Sequence, residues 1–141
     1  MALTERYLCD KSALVRLDRA EVRERLEPLI EGGSVATCSI VLLEVLFSAR
    51  SPVDYRGTRD RLSLALALVP MNQDVLDRAV EIQALLAERS QHRGVPLPDL
   101  MIAATAEHHD LVVLHYDADF DRIADVSGQT MEWVVERGTV R

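Results

Sequence analysis

Asp10, Glu44, Asp99 and Asp117 are the acids whose type and placement could do chemistry as a set. Asp10 ends the short apolar run Arg6-Tyr7-Leu8-Cys9, and Asp117 lies just past the β-branched run Leu111 to His115. Glu44 sits inside Ile40-Val41-Leu42-Leu43-Glu44-Val45-Leu46-Phe47, apolar on nearly every helical side. Burying an unpaired carboxylate there costs several kcal/mol, so it needs a cation, a hydrogen-bond network or water. Asp99 follows Pro98 at the first turn of a helix, where capping alone would explain it. As a set, oxygen-only ligands suit hard Mg²⁺ or Mn²⁺, which keep waters in an octahedral shell. Ions so held activate water and stabilise a leaving oxygen, the division of labour in two-metal hydrolysis.

The elements that must bring these acids together are legible as alternating strands and helices. The run at residues 6–9 reads as a strand and Ser12 to Val15 as the start of a helix. A helix over about residues 20–30 stops at Glu31-Gly32-Gly33, and Ser34 to Cys38 is β-rich. Ser39 is placed to cap a helix running to about Arg50. Pro52 restarts a helix through Leu62, and Asn72-Gln73-Asp74 opens a strongly periodic one to about Gln91. Pro96 and Pro98 break the chain before a small-residue helix from Asp99 to about His109. Leu111 to His115 and Met131 to Val135 read as strands, with a short helix near Phe120 to Ile123 capped by Asp119. Continuously apolar strands separated by helices are the pattern of a parallel sheet covered on both faces. In such sheets the functional crevice lies beyond the carboxyl ends of the strands, where Asp10 and Asp117 fall.

Bulk properties bound the rest. The chain has 141 residues, 48% hydrophobic and 28% charged, the size and composition of one globular domain over 1–141. No repeat or linker divides it. The N-terminal residues lack the apolar stretch of a secretory signal, and the longest apolar runs are too short for a bilayer core of ~30 Å. A cytoplasmic protein with no membrane contact is expected. Cys9 and Cys38 lack metal or redox spacing and read as reduced core thiols. A net charge of −7 argues against nonspecific coating of nucleic acid, though bound cations would cancel part of that charge where a phosphate approaches.

Taken together, Tyr7-Leu8-Cys9-Asp10-Lys11-Ser12-Ala13-Leu14-Val15, Leu43-Glu44-Val45, Pro98-Asp99-Leu100-Met101-Ile102-Ala103-Ala104-Thr105-Ala106 and His115-Tyr116-Asp117-Ala118-Asp119-Phe120 resemble the successive motifs of PIN-domain toxins of VapC type. The resemblance implies a three-layer PIN-like α/β fold, with a central parallel sheet flanked by helices. It implies a Mg²⁺- or Mn²⁺-dependent endoribonuclease acting on structured RNA such as tRNA, a homodimer, and inhibition by a cognate VapB-type antitoxin. Asp10, Glu44, Asp99 and Asp117 take the family's acidic positions as catalytic and metal-binding residues. Ser12 matches the small hydroxyl residue near the first acid, and Ser12 and Asp119 are supporting residues. Lys11 departs from the pattern, standing where such toxins usually carry threonine.

Other features carry less. His108 and His109, with His115 nearby, lack the i, i+4 pairing of a zinc helix, and the adjacent pair reads as solvated helix-end residues. Arg16, Arg19, Arg23, Arg25, Arg50, Arg56, Arg59 and Arg61 are candidate RNA contacts, most of them expected on solvated faces. Leu76, Ala79, Ile82 and Leu85 form a packing stripe that suits either core or dimer interface. A response-regulator receiver would need a lysine late in the chain, and Lys11 is the sole lysine. A haloacid-dehalogenase-type phosphatase would need an aspartate at position 12, which is Ser12. The alternative that remains is a catalytically inactive PIN-like binding module.

Overall fold

Leu8 and Cys9 are wholly buried because their strand, β1 (Tyr7–Cys9), has a neighbour on each side. It pairs in parallel with β2 (Val35–Thr37) through Leu8 opposite Ala36, and with β4 (Val112–His115) through Leu8 opposite Val113. The computed structural model describes residues 5–141. Among them β3 (Ala67–Leu68) and β5 (Met131–Trp133) extend the sheet in the order β3-β2-β1-β4-β5, every pairing parallel.

Seven helices among the described residues supply the connections: α1 (Lys11–Leu14), α2 (Ala20–Glu31), α3 (Ser39–Phe47), α4 (Pro52–Ala65), α5 (Gln73–Ala87), α6 (Leu97–His108) and α7 (Asp119–Ser127). From β1 the chain steps through β2 to β3 in one direction, then returns across the sheet to β4 and on to β5. With right-handed crossovers, this reversal puts the connections before β3 on one face and those after it on the other. The reversal falls between β1 and β4, so the crevice belongs at the carboxyl ends of those two strands. One core of buried apolar residues runs through the sheet and the helices, from Leu8 and Val35 to Ile102, Leu114 and Phe120. No described helix is long and apolar enough to cross a membrane.

Local chemistry explains most boundaries. Ser51 and Asn72 cap α4 and α5 by accepting from the backbone N–H of Asp54 and Val75, and Gly128 ends α7 in the left-handed region at φ 73°. Several boundaries differ from those expected from sequence. The residue ahead of α3 is Cys38, not Ser39, and its side chain makes no capping bond. Helix α3 stops at Phe47, α5 stops at Ala87, and β5 ends at Trp133. The prolines do not break the chain before Asp99. Pro96 precedes α6 and Pro98 lies in its first turn, where a missing N–H costs nothing. The edge strand β3 has no counterpart among the expected elements. The expectation that Met1 to Thr4 belong to no secretory signal lies outside the described residues.

Candidate active site

Asp10 leaves β1 and becomes the N-cap of α1. Its Oδ2 accepts from the Ser12 backbone N–H at 2.9 Å and from the Ser12 hydroxyl at 2.6 Å. The same hydroxyl oxygen accepts from the backbone N–H of Tyr116 at 2.9 Å. Ser12 thus ties the end of β1 to the end of β4 across the switch point. Burial raises the Asp10 carboxyl above its ordinary range, against the lowering effect of the Ser12 bonds.

Asp99 comes from the first turn of α6 and is 6% exposed. Its Oδ2 is buried with no hydrogen-bond partner among the described residues, so helix capping does not account for it. Two groups of acids meet at this residue: Asp10, Glu44 and Asp99 form one, and Asp99, Asp117 and Asp119 the other. In each group one oxygen per residue lies within 4.8 Å of the others. Burial, then the charges of Asp10, Asp117, Asp119 and Glu44, push the Asp99 carboxyl up to about 8. Burial and Asp10 also raise Glu44, while burial and Asp117 raise Asp119. A buried, unpartnered oxygen between mutually repelling carboxylates fits a hard divalent cation, which would satisfy the oxygen and reverse the repulsion.

All four sequence-derived acids converge, and two roles change. Glu44 is half-buried, because Leu43 and Phe47 on its helix are 62% and 91% exposed. Its apolar neighbours therefore face outward in part. Asp119 does not cap α7: Asp117 Oδ1 accepts the Asp119 backbone N–H at 2.9 Å, and Asp119 pairs with Arg122 at 3.0 Å. The carboxylate of Asp119 joins the acidic group, which the Asp-x-Asp spacing from Asp117 could have signalled. Lys11 lies near enough to Glu44 to favour its ionised form. His115 is fully buried, packed against Phe120 and Trp133, and burial pushes it down to about 4. It is a neutral core residue at the end of β4. Burial pushes both thiols up, so Cys9 and Cys38 stay protonated.

A doubly covered parallel sheet with two acid groups meeting at its switch point defines an α/β protein with an acid-lined open edge that could hold a metal ion. A PIN domain profile matches residues 7–126. The chain is 50% identical over 137 residues to ribonuclease VapC21 of Mycobacterium tuberculosis, covering 97% of this chain and 99% of that protein. It is 50% identical over 135 residues to ribonuclease VapC51 of the same organism, covering 96% and 97%. The fold matches the crystal structure of DNA-bound VapBC from Salmonella typhimurium with a TM-score of 0.76 at 21% identity, over 93% of this chain and 99% of that one. The chain belongs to the PIN-domain family, in its VapC branch.

Proposed function

We propose that this chain is the toxin of a type II toxin-antitoxin pair, a metal-dependent endoribonuclease hydrolysing phosphodiester bonds of structured RNA such as tRNA. The observation that carries the reading is the orphaned, buried Asp99 oxygen where two acid groups meet. Its nearly full-length relatives are named ribonucleases, and its structural neighbours include VapBC complexes.

When bound, Mg²⁺ or Mn²⁺ supplies water activation at neutral pH and neutralises charge at the scissile phosphate. Asp10, Glu44 and Asp99 would hold one ion, and Asp99, Asp117 and Asp119 a second. Ser12 fixes the rotamer of Asp10 and leaves Oδ1 for the ligand. Asp117 keeps its Oδ1 on the α7 backbone and presents its other oxygen. Glu44, half-open to solvent beside Lys11, is suited to orient the attacking water. Because Asp99 holds a proton to about 8 without a cation, metal uptake should release protons and tighten as pH rises. Leu43 and Phe47 expose apolar surface on α3 of the kind a partner covers, consistent with a VapB-type antitoxin and a homodimer in the cytoplasm.

The test is RNA cutting by the purified chain with Mg²⁺ or Mn²⁺, in excess chelator, and with Asp99→Asn. Cutting is expected only by the unaltered chain with metal. Undiminished cutting in chelator overturns the metal mechanism, and no cutting of cellular RNA under any metal favours the binding module. Mapping new RNA ends after brief expression identifies the substrate.

A further inference from the structure

Beside the acids, the carboxyl edge of β4 and β5 opens into a second concavity of about 480 Å³, lined by Arg16, Tyr116, Asp117, Trp133, Arg137 and Gly138. Asp117 belongs to both, so basin and acid groups share a wall. Two aromatic rings are held in it. The Tyr116 hydroxyl donates to the Val140 carbonyl at 2.6 Å and accepts from the backbone N–H groups of Gly138 and Val140. The Trp133 indole N–H donates to Asp121 at 3.1 Å, and the rings of His115 and Tyr116 pack on it at 5.1 and 5.3 Å.

Two arginines accompany the rings. Arg16 lies 4.8 Å from the Tyr116 ring centre, fixed by bonds to the Ser12 and Arg141 backbone oxygens. Arg137 is exposed and lies 5.6 Å from the Trp133 ring centre. The ion pairs among the described residues engage Arg19, Arg25, Arg78 and Arg122, and neither basin arginine has a carboxylate side chain as partner there. Within a chain of net charge −7, the basin sets two arginines over two fixed rings beside the acids. A π-face beside a guanidinium is what an unpaired nucleotide needs, the base stacking and the phosphate meeting the fork. A purely apolar ligand would leave the arginines unused, and an acidic peptide would leave the rings unused.

We infer that this basin holds the nucleotide adjoining the scissile phosphate of an RNA strand, its base against Trp133 under Arg137 and its phosphate on Arg16. The inference rests on the ribonuclease reading for its substrate, and on the basin alone for its geometry. Arg137 acts as a clasp over the base, and the shared Asp117 wall keeps the bound strand next to the acids.

Trp133 is the sole tryptophan, so its emission reports the basin directly. A short mixed-sequence single-stranded RNA is titrated into the Asp99→Asn protein, which leaves the strand intact. Inorganic polyphosphate of equal charge and an Asp/Glu-rich peptide are titrated in parallel. RNA should quench Trp133 to saturation and the other two should not. Arg137→Gln, at an exposed position, should keep the melting temperature and weaken RNA binding by roughly fivefold or more. Arg16→Gln, at the phosphate, should reduce the salt slope by about 0.7, one phosphate on a single strand. Binding of labelled RNA without a change in Trp133 emission overturns the inference. So does equal quenching by polyphosphate, quenching by the peptide in place of RNA, or unchanged affinity in Arg137→Gln. Quenching by RNA with no cutting by the unaltered chain in Mg²⁺ or Mn²⁺ sinks the ribonuclease reading and leaves the basin standing. Cutting without quenching does the reverse.

Discussion

Asp99 is held near 8 by burial and by four neighbouring acids, against about 3.9 for an unfolded aspartate. Between roughly pH 4 and 8 the folded, metal-free protein therefore keeps a proton that the unfolded chain has released. More protons bound in the native state means that stability falls as pH rises through that window. The melting temperature in chelator should decline from pH 5 to pH 8, and Asp99→Asn should flatten the decline. Equal slopes for both proteins would mean that Asp99 is already ionised across that window. Ser12 works in the opposite sense, since its hydroxyl donates to Asp10 and accepts from Tyr116. Ser12→Ala should lower stability by about 1–3 kcal/mol, because it orphans the Tyr116 N–H and takes one of two donors from Asp10 Oδ2. It should also weaken Mn²⁺ binding by roughly 10- to 100-fold, the usual effect of losing a group that orients a ligand. Denaturant melts and metal titration of one purified variant check both figures.

The entrance to α7 separates two acids that the sequence leaves two residues apart and otherwise alike. Asp117 Oδ1 receives the Asp119 N–H, so Asp117→Ala should cost about 1 kcal/mol of metal-free stability, as loss of a helix-start acceptor does. Asp117→Asn keeps an oxygen there and should melt like the unaltered chain while losing cleavage. If Asp117→Asn cuts normally, the residue is a turn-former alone. Sequence alone assigns this acceptor role to Asp119, because an Asp-x-Asp pair offers two equivalent acceptors and only the backbone path chooses between them. Strands β1 and β4 are legible because burial on both faces makes them continuously apolar, and α5 because Asn72 marks its start. Strand β3 is hidden: its two residues lie exposed at the sheet edge inside a longer apolar run, with no alternation to read. For Glu44 the expected burial is only partly right, since an apolar helix looks the same in sequence whether the core or a partner covers it. The basin around Trp133 leaves no periodic signal, because its side chains come from β5 and from segments flanking α1, β4 and β5.

At the scale of the whole molecule, acid groups that hold cations as proposed would make the native state a cation sink that the unfolded chain does not share. Mn²⁺ at 100 times its dissociation constant should raise stability by about 2.7 kcal/mol. Asp99→Asn should remove most of that gain, because Asp99 serves both groups, while Asp119→Asn should remove only part. Thermal unfolding across a metal series distinguishes these cases, and an equal loss in both variants would contradict the shared role. The hydroxyl of Ser12 and the amide of Tyr116 that meets it are 104 residues apart in sequence. A ribosome adding roughly 5–20 residues per second needs several seconds between making one and making the other. Until Asp117 has emerged and β4 has slotted beside β1, the early acids stand alone at an unclosed seam. On the ribonuclease reading, a chain ended before Tyr116 lacks both this seam and Asp117 and should not cut RNA, and the delay is set by where the two halves of the seam fall along the message.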